Sequence, residues 1–293
     1  MGIANNPKLD EREHPEIIYT PESQLRRPIL LLRLMFRDLY AGRELAWRLT
    51  VRDISAQYRQ AFLGILWAFI LPIANTVTWI FLNSSGIVSV GETELPYPVY
   101  VFTGSMLWAI FMNGLNAPIQ KITASKSMLA KINFPREALI LSGVYETLFN
   151  GSIKVVLLLI ALIGFGIYPN WNIILFPLAI ISLILAGTLV GLILTPVGLL
   201  YSDIGKAIPL IMQFFMYITP VVFPMPESGW AALIFRLNPM TPIILTSRDW
   251  ITGFTPEFLS SFIAVNIIIA FLLGIFWIVY KLAMPILIER MSA

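Results

Sequence analysis

Cysteine is absent from this sequence of 293 residues, and histidine occurs once, at His14. The absence of cysteine excludes disulfide bonds and thiolate ligands for a metal. A single histidine is too little for a histidine-based metal site or for a nucleophile activated by histidine. We therefore expect a chain that binds no metal and no cofactor of its own.

Charge is also scarce. Only 13% of the residues are charged while 57% are hydrophobic, and the mean hydropathy is +0.78. A soluble domain of this size could not cover its surface with so few charges. Several apolar stretches have about 20 residues, the length that crosses a hydrocarbon core of about 30 Å. The composition predicts an all-α integral membrane protein.

Six transmembrane spans are predicted, at residues 62–83, 98–117, 138–167, 173–200, 204–223 and 258–282. Seventeen of the 20 lysines and arginines flank these spans on one side, which predicts that both termini are cytoplasmic. We expect the plasma membrane, or the inner membrane of a bacterium, as its location. No aromatic-basic module accompanies the basic residues, so we expect lipid headgroups rather than nucleic acid as their partners.

Residues 44–61 predict an amphipathic helix before the first span. Its apolar stripe consists of Trp47, Val51, Ile54, Tyr58 and Ala61, and its basic flank of Arg48, Arg52 and Arg59. This pattern is typical of a helix that lies in the cytoplasmic membrane interface. The alternative is an ordinary amphipathic helix packed on a soluble partner.

A basic segment at 118–137 interrupts the apolar sequence after the second span. Its charged residues are Lys121, Lys126, Lys131, Arg136 and Glu137. Pro118 can begin a short helix, and Phe134 ends it because the residue before Pro135 favours extended geometry. Glu137 then falls in the first turn of span three, where the helix dipole favours an anion. The pattern predicts a short helix joined to span three by a rigid corner, although a basic loop that only fixes topology is equally compatible.

Residues 224–254, before the last span, predict a broken external hairpin. Ser228 can cap a first short helix that ends at Asn238-Pro239, and Thr241 can cap a second. Helices broken at membrane depth are tolerated only when they are buried in protein or line water. We expect a re-entrant gate hairpin, with a hairpin lying on the outer surface as the alternative.

Candidates for the channel lining and gate lie in span five and in this hairpin. They are Phe214, Phe215, Tyr217, Trp230, Leu233, Asn238, Pro239 and Ile244. Aromatic rings can stack on sugar rings, but most aromatic residues near span ends form interfacial belts. Glu146 and Lys154 are costly inside span three, so each must face water, a headgroup or an ion-pair partner.

Three motifs carry a resemblance to a known family. They are YRQAFLGILW at 58–67, followed by Pro72, then NFPRE at 133–137 and NPMTP at 238–242. In this order, and over nearly all of 44–290, they resemble permeases of the ABC-2 polysaccharide exporters, which export O-antigen, capsular polysaccharide or teichoic acid. One departure is Tyr201-Ser202-Asp203, where the family often has an aromatic-Arg-Asp triplet.

The resemblance implies a permease subunit that moves a lipid-linked glycan. Two copies would form a channel, powered by two copies of a separate ATPase that binds ATP and Mg²⁺. The residues that would couple the permease to this ATPase are Lys126, Lys131, Phe134, Pro135, Arg136 and Glu137. The interface helix would carry Trp47, Arg48, Arg52, Tyr58 and Arg59. The sequence contains no G-x-x-x-x-G-K-[ST] phosphate loop, so we expect no ATP hydrolysis by this chain.

The resemblance organises the chain as an amino-terminal cytoplasmic segment, 1–43, and a transmembrane domain, 44–290. Its cargo remains open between a polysaccharide and, alternatively, a small lipid or drug. A membrane enzyme acting on a lipid carrier should place several carboxylates or a histidine at the membrane surface, and only Glu146 and Asp203 approach this. A secondary transporter would show paired intramembrane acids and repeated halves, which are absent from the sequence.

Overall fold

The computed structural model describes residues 28–59, 66–88, 90–91, 93–132 and 134–292. The chain divides into two compact units, Met1–Arg37 and Asp38–Ala293. The second unit contains the long apolar helices and all the contacts that position the candidate site. His14, and the predicted start of span one at residue 62, lie outside the described residues.

The described residues form helices and loops and contain no β-strand, which confirms the all-α prediction. The helices are α1 Pro28–Ala41, α2 Arg43–Arg59, α3 Trp67–Ser84, α4 Tyr97–Ala124, α5 Lys126–Lys131, α6 Glu137–Gly164, α7 Phe176–Leu200, α8 Ser202–Tyr217, α9 Gly229–Leu237, α10 Met240–Thr252 and α11 Leu259–Ser292. A 3-10 turn, Trp171–Leu175, leads into α7.

Four stretches within the described residues are long and apolar enough to cross a membrane. They are Tyr97–Ala124, Glu137–Gly164, Trp171–Leu200 and Leu259–Pro285. The predicted first and fifth spans correspond to α3 and α8, which have 18 and 16 residues. At 1.5 Å per residue these helices are only about 27 and 24 Å long, slightly less than the hydrocarbon core.

The central contact of the fold is between α4 and α7, and glycine makes it close. A Cβ atom on Gly187 would lie 2.3 Å from the carbonyl oxygen of Phe111, and one on Gly191 would lie 2.4 Å from that of Leu115. The two glycines are one turn apart on α7, so they form a groove into which the backbone of α4 fits. Small residues spaced by four commonly mediate such close packing in membranes.

The structure differs from the sequence prediction at Pro118. This proline lies inside α4 rather than at the start of a short helix, and α4 continues to Ala124. A Cβ on Gly191 would lie only 2.9 Å from the Pro118 ring, so the ring occupies space that this glycine leaves open. Proline is tolerated within membrane helices when a neighbouring helix packs closely around it. The predicted short helix is therefore α5 alone.

Helix α2 packs along α6. The Thr50 hydroxyl donates to the carbonyl of Ser142 at 3.2 Å, and the Tyr58 hydroxyl donates to Oδ1 of Asn150 at 3.1 Å. Both pairs are 92 positions apart, so α2 and α6 run parallel over this stretch.

The residues of α2 that are buried within this chain are Ala46, Leu49 and Thr50. Two residues of the predicted apolar stripe, Trp47 and Val51, are 61% and 46% exposed. Exposed apolar side chains on this face are available to the membrane interface, so the prediction that the stripe faces the interface stays a prediction.

Candidate functional site

Lys121, near the end of α4, joins three helices. Its Nζ lies 2.5 Å from Oδ2 of Asp53 on α2, and it also forms an ion pair with Glu146 on α6. The lysine side chain is 9% exposed, while those of the two acids are 24% and 25% exposed. The positive charge of the largely buried lysine is therefore neutralised by two carboxylates, both of which keep some contact with solvent.

Asp53 receives a second cation from its own helix. Nε of Arg52 donates to Oδ1 of Asp53 at 2.7 Å. Burial by itself would raise the pKa of Asp53, but the hydrogen bonds from Arg52 and Lys121 outweigh it and hold the pKa below its ordinary value. Asp53 is therefore ionised in the folded protein at neutral pH.

The two predicted intramembrane charges do not pair with each other. Glu146 pairs with Lys121, as described above, whereas Nζ of Lys154 donates to the backbone carbonyl of Asn150 at 3.4 Å. Eight residues separate Glu146 from Lys154, which is about 12 Å along α6. Of the roles considered for Glu146, the structure gives it that of an ion-pair partner.

The corner before α6 lies at Phe134-Pro135. Helix α5 ends at Lys131, Ile132 is extended, and α6 begins at Glu137. Glu137 occupies the first turn of α6, but its side chain is buried at 3% exposure rather than presented to solvent.

Glu137 anchors the start of α6 to the carboxyl-terminal half of α11. Nζ of Lys281 lies 2.9 Å from Oε1 of Glu137 and 2.7 Å from Oδ2 of Asp38. The contact between Lys281 and Glu137 is an ion pair whose angles do not suit a hydrogen bond. Oε1 of Glu137 therefore has no hydrogen-bond partner within the described residues. Next to it, the Tyr280 hydroxyl donates to the carbonyl of Arg136 at 3.3 Å. Two adjacent residues of α11 thus hold the two residues that open α6.

The remaining predicted coupling residues are more accessible. Lys126 is exposed, and Phe134, Pro135 and Arg136 are half-buried. The Lys131 side chain lies outside the described residues. The surface that this segment offers to a partner is therefore centred on α5 and the corner, while Glu137 faces inward.

The predicted residues of α2 lie along its contact with α6 and on its exposed face. The Trp47 and Tyr58 rings meet Tyr145 and Phe149 of α6 edge to face, with centroids 6.3 and 6.5 Å apart. The basic residues Arg48, Arg52 and Arg59 are exposed. Arg48 forms an exposed pair with Glu44, one turn earlier, at 2.7 Å.

The hairpin formed by α9 and α10 is broken where the sequence predicts, at Asn238-Pro239. Nδ2 of Asn238 donates to Oγ1 of Thr219 at 2.7 Å and to the carbonyl of Ile218 at 3.0 Å, while its Oδ1 accepts from the N–H of Met240 at 2.9 Å. Asn238 therefore both caps α10 and attaches the hairpin to the segment that follows α8. The predicted cap, Thr241, lies one residue inside α10.

Ser228 occupies the predicted N-cap position of α9, but its side chain forms no capping hydrogen bond there. The order of two short helices is as expected. Pro239 occupies the N-cap position of α10 and offers no side-chain acceptor, so the N–H of Met240 donates instead to the side chain of Asn238, one residue earlier.

Arg248 is a buried cation that the sequence analysis did not select. It is 3% exposed, and its Nη2 donates to the carbonyls of Pro220 at 2.9 Å and Val221 at 3.3 Å. Its guanidinium carbon lies 3.7 Å from the centroid of the Tyr100 ring, and the Tyr100 hydroxyl also donates to the Pro220 carbonyl. Backbone dipoles and the face of an aromatic ring thus stabilise its charge.

The channel candidates occupy different environments. Tyr217 packs edge to face with Trp79 of α3 at 6.0 Å and contacts Phe223 at 6.5 Å. Phe214 and Phe215 are 64% and 45% exposed on α8.

The hairpin candidates are also divided. Trp230 and Leu233 are exposed on α9, whereas Ile244 is fully buried in the hydrophobic core and has no access to the surface of this chain. Pro239 is exposed beside the buried Asn238.

A cavity of about 680 Å³ opens at the end of α4. It is bounded by α4 and α5, by the end of α7 and by the start of α8. Polar side chains line its α4 wall, and Lys126 of α5 is also part of the lining. Among the described residues, inside the cavity or outside it, no three His, Cys, Asp or Glu side chains come close enough together to hold a metal ion.

Comparison with known proteins identifies the family. Residues 44–251 match the family described as the ABC-2 type transporter. The chain belongs to the ABC-2 type transporter family. The resemblance drawn from the three sequence motifs is confirmed, and this ABC-2 chain is a membrane component of a transporter rather than an enzyme.

Individual relatives match most of the chain. It is 26% identical over 217 residues to the O-antigen export system permease protein RfbA of Myxococcus xanthus, covering 73% of this chain and 82% of that protein. It is 24% identical over 233 residues to the polysialic acid transport protein KpsM of Escherichia coli, covering 77% of this chain and 86% of that protein.

Two of the residues that sequence reasoning missed share one signal. Arg248 and Lys281 are charged residues inside or beside apolar segments, where an isolated charge is costly. That cost was sufficient to single out Glu146 and Lys154, and the same criterion applied to the hairpin and to the last helix would have selected Arg248 and Lys281 as well. Asp53 lacks this signal, because charged residues occur throughout α2.

Proposed function

We propose that this chain is the permease subunit of an ATP-driven exporter that moves a lipid-linked polysaccharide out of the cytoplasm. The observation that carries the proposal is the extent of its likeness to two polysaccharide-transport proteins. The aligned regions cover more than four fifths of each relative, so the membrane-embedded part corresponds as a whole rather than as a shared fragment.

The proposed topology has six spans in the plasma or bacterial inner membrane, with both termini in the cytoplasm. It includes α3 and α8 as short spans and the α9–α10 pair as a re-entrant hairpin at the outer face. The ion pairs support this arrangement, because they bring α2, the end of α4, the start of α6 and the end of α11 to one end of the helices. A reporter fused at Gly91 should read external, and a cytoplasmic signal there would contradict the six-span topology.

The active unit we propose contains two copies of this chain and two copies of a separate ATPase, which holds ATP and Mg²⁺. The segment α5 to Glu137 would receive the movement of the ATPase. Two contacts support a path for that movement. Tyr280 and Lys281 of α11 contact Arg136 and Glu137, so a displacement of the corner reaches the last helix directly.

The coupling proposal predicts a specific loss of function. Replacing Phe134-Pro135 by Ala-Ala should allow a continuous helix through the corner and remove its stiffness. We expect normal membrane insertion, lower export and weaker stimulation of the partner ATPase. Unchanged export in a variant that is inserted normally would mean that the segment only fixes topology.

The cargo can be tested by deleting the gene in its own host. We expect the polysaccharide to disappear from the surface of intact cells and to accumulate inside, detected by a lectin or antibody before and after permeabilisation. Complementation by the wild-type gene is the control. A mutant with normal surface polysaccharide but altered sensitivity to drugs, or an altered lipid composition, would favour the alternative, a permease for a drug or small lipid.

A further inference from the structure

The cavity at the end of α4 is not used by the ion pairs of the fold. None of the residues that line it belongs to the clusters around Lys121 or Lys281. Its volume of about 680 Å³ lies within the range of about 300–1,000 Å³ that is typical of ligand sites. It lies beside Lys121, at the end of the helices that the proposed topology places in the cytoplasm.

One wall of the cavity is a row of neutral polar side chains. Asn116, Gln120 and Thr123 line it at spacings of four and three, so they share one face of α4. Nδ2 of Asn116 donates to the carbonyl of Met112 at 2.9 Å, which fixes the orientation of that side chain. Amide and hydroxyl groups both donate and accept hydrogen bonds, and this capacity matches the hydroxyl groups of a sugar.

The cavity carries charge of one sign only. Lys126, in the first turn of α5, is exposed and is the single charged residue among the described residues that line it. No carboxylate of the lining neutralises it. A lysine ammonium group presents three donors and a compact positive charge, which suit a phosphate group.

The opposite wall is apolar. Leu199 and Leu200 at the end of α7 and Ile208 on α8 line it. Gly205 lies beside them, and a Cβ atom on it would meet no other atom within 4 Å, so there is open space at this point. The cavity therefore combines an apolar wall, a neutral polar wall and one cation.

We propose that this cavity binds the junction between phosphate and sugar of a lipid-linked glycan at the cytoplasmic face. Lys126 contacts the phosphate, the row from Asn116 to Thr123 contacts hydroxyl groups of the first sugar, and Leu199 and Leu200 contact the first carbons of the lipid. This inference rests on the proposed function and adds to it the residues that recognise the phosphate-linked end of the cargo.

Binding can be measured on the full permease–ATPase complex in lipid nanodiscs without nucleotide. The probe is a short prenyl diphosphate that carries one hexose, with the same prenyl hexoside lacking phosphate and free inorganic diphosphate as comparisons. Lys126→Gln should weaken the diphosphate probe about tenfold, because a charge-assisted contact is lost, and leave the prenyl hexoside unchanged. Gln120→Leu should weaken both sugar-bearing probes.

Lys206→Gln is the matched control, because Lys206 is an exposed lysine on α8 outside the cavity lining. It should bind all probes within about twofold of wild type, as surface substitutions usually do. Equal binding by the Lys126 and Lys206 variants, or no binding by wild type, would overturn the site. Free diphosphate binding as tightly as the glycolipid would overturn the assignment of a glycolipid.

The outcome is separable from that of the proposed function. If the deletion strain loses its surface polysaccharide but the two lysine variants bind the probe equally, the proposed export function is supported and the proposed binding site is wrong. If surface polysaccharide is normal but probe binding depends on Lys126, the binding site is supported and polysaccharide is not the cargo. Weaker ATPase stimulation in Lys126→Gln at unchanged affinity would assign this lysine to coupling instead.

Discussion

The two ends of the helix assembly hold their buried cations in different ways. At the end that we place in the cytoplasm, Lys121 lies between two carboxylates and Lys281 between two others. At the opposite end, which the proposed topology places outside and which we call the outer end, Arg248 forms no salt bridge within the described residues and is surrounded by backbone carbonyls and the ring of Tyr100. The first arrangement joins side chains of separate helices by charge. The second attaches one side chain to an irregular segment of backbone.

This difference has consequences for rigidity. An ion pair between helices leaves a buried charge uncompensated when it is broken, so the helices that it joins resist separation. A guanidinium held by carbonyls loses hydrogen bonds one at a time, and each is worth less. We therefore expect the cytoplasmic ends of α2, α4, α6 and α11 to move as a unit, and the outer hairpin to move more freely.

The largest effect is expected from Lys121→Met. The substitution leaves Glu146 without its cation and leaves Asp53 with Arg52 alone. Breaking a buried ion pair costs about 3–5 kcal/mol, and the partial exposure of both acids reduces this to about 3 kcal/mol of the free energy of unfolding. A thermal unfolding scan of the purified protein measures it.

The control for Lys121→Met is Lys126→Met, which removes an exposed lysine five residues away and should change stability by less than about 0.5 kcal/mol. Adding Asp53→Asn and Glu146→Gln to Lys121→Met should restore most of the lost stability. A loss no larger than that of Lys126→Met would show that the three charges contribute little to stability.

A smaller effect is expected from Arg248→Met at the outer end. The Pro220 carbonyl keeps its hydrogen bond from Tyr100, and no carboxylate loses a salt-bridge partner. We expect a loss of about 1–2 kcal/mol, from hydrogen bonds between a charged group and carbonyls. The matched variant is Arg236→Met, which removes an exposed arginine from α9 and should be close to neutral. If Arg248→Met costs more than Lys121→Met, the contrast between the two ends is wrong.

The features that the sequence predicted correctly are local. The corner at Phe134-Pro135 and the break at Asn238-Pro239 follow from proline, which constrains only its own backbone and that of its neighbour. The helical class follows from composition and from the length of the apolar stretches.

The features that the sequence did not predict depend on distant partners. Asp53 and Lys121 are 68 positions apart, and Asp38 and Lys281 are 243 apart, so no local spacing relates them. Of the candidate site, the segments were predictable, but the side chains that join them were not.

The last effect concerns pH at the outer end, where Asp249 follows Arg248. Burial raises the pKa of Asp249 to about 7, with Glu94 and Glu257 adding to the increase and the Arg248 charge opposing it. The unfolded chain has the ordinary pKa of 3.8. Between these two pH values the folded protein holds a proton that the unfolded chain has lost, so stability falls as the pH rises through this window and is level above about 7.

Asp249→Asn should remove this dependence and raise the melting temperature by a few degrees at pH 8, while leaving it unchanged near pH 4. Glu227→Gln, an exposed acid before α9, is the control and should leave the pH profile of unfolding as it is. If the profile of Asp249→Asn between pH 4 and pH 8 matches that of wild type, Asp249 does not hold a proton in the folded hairpin, and the outer end is as fully charged as the cytoplasmic one.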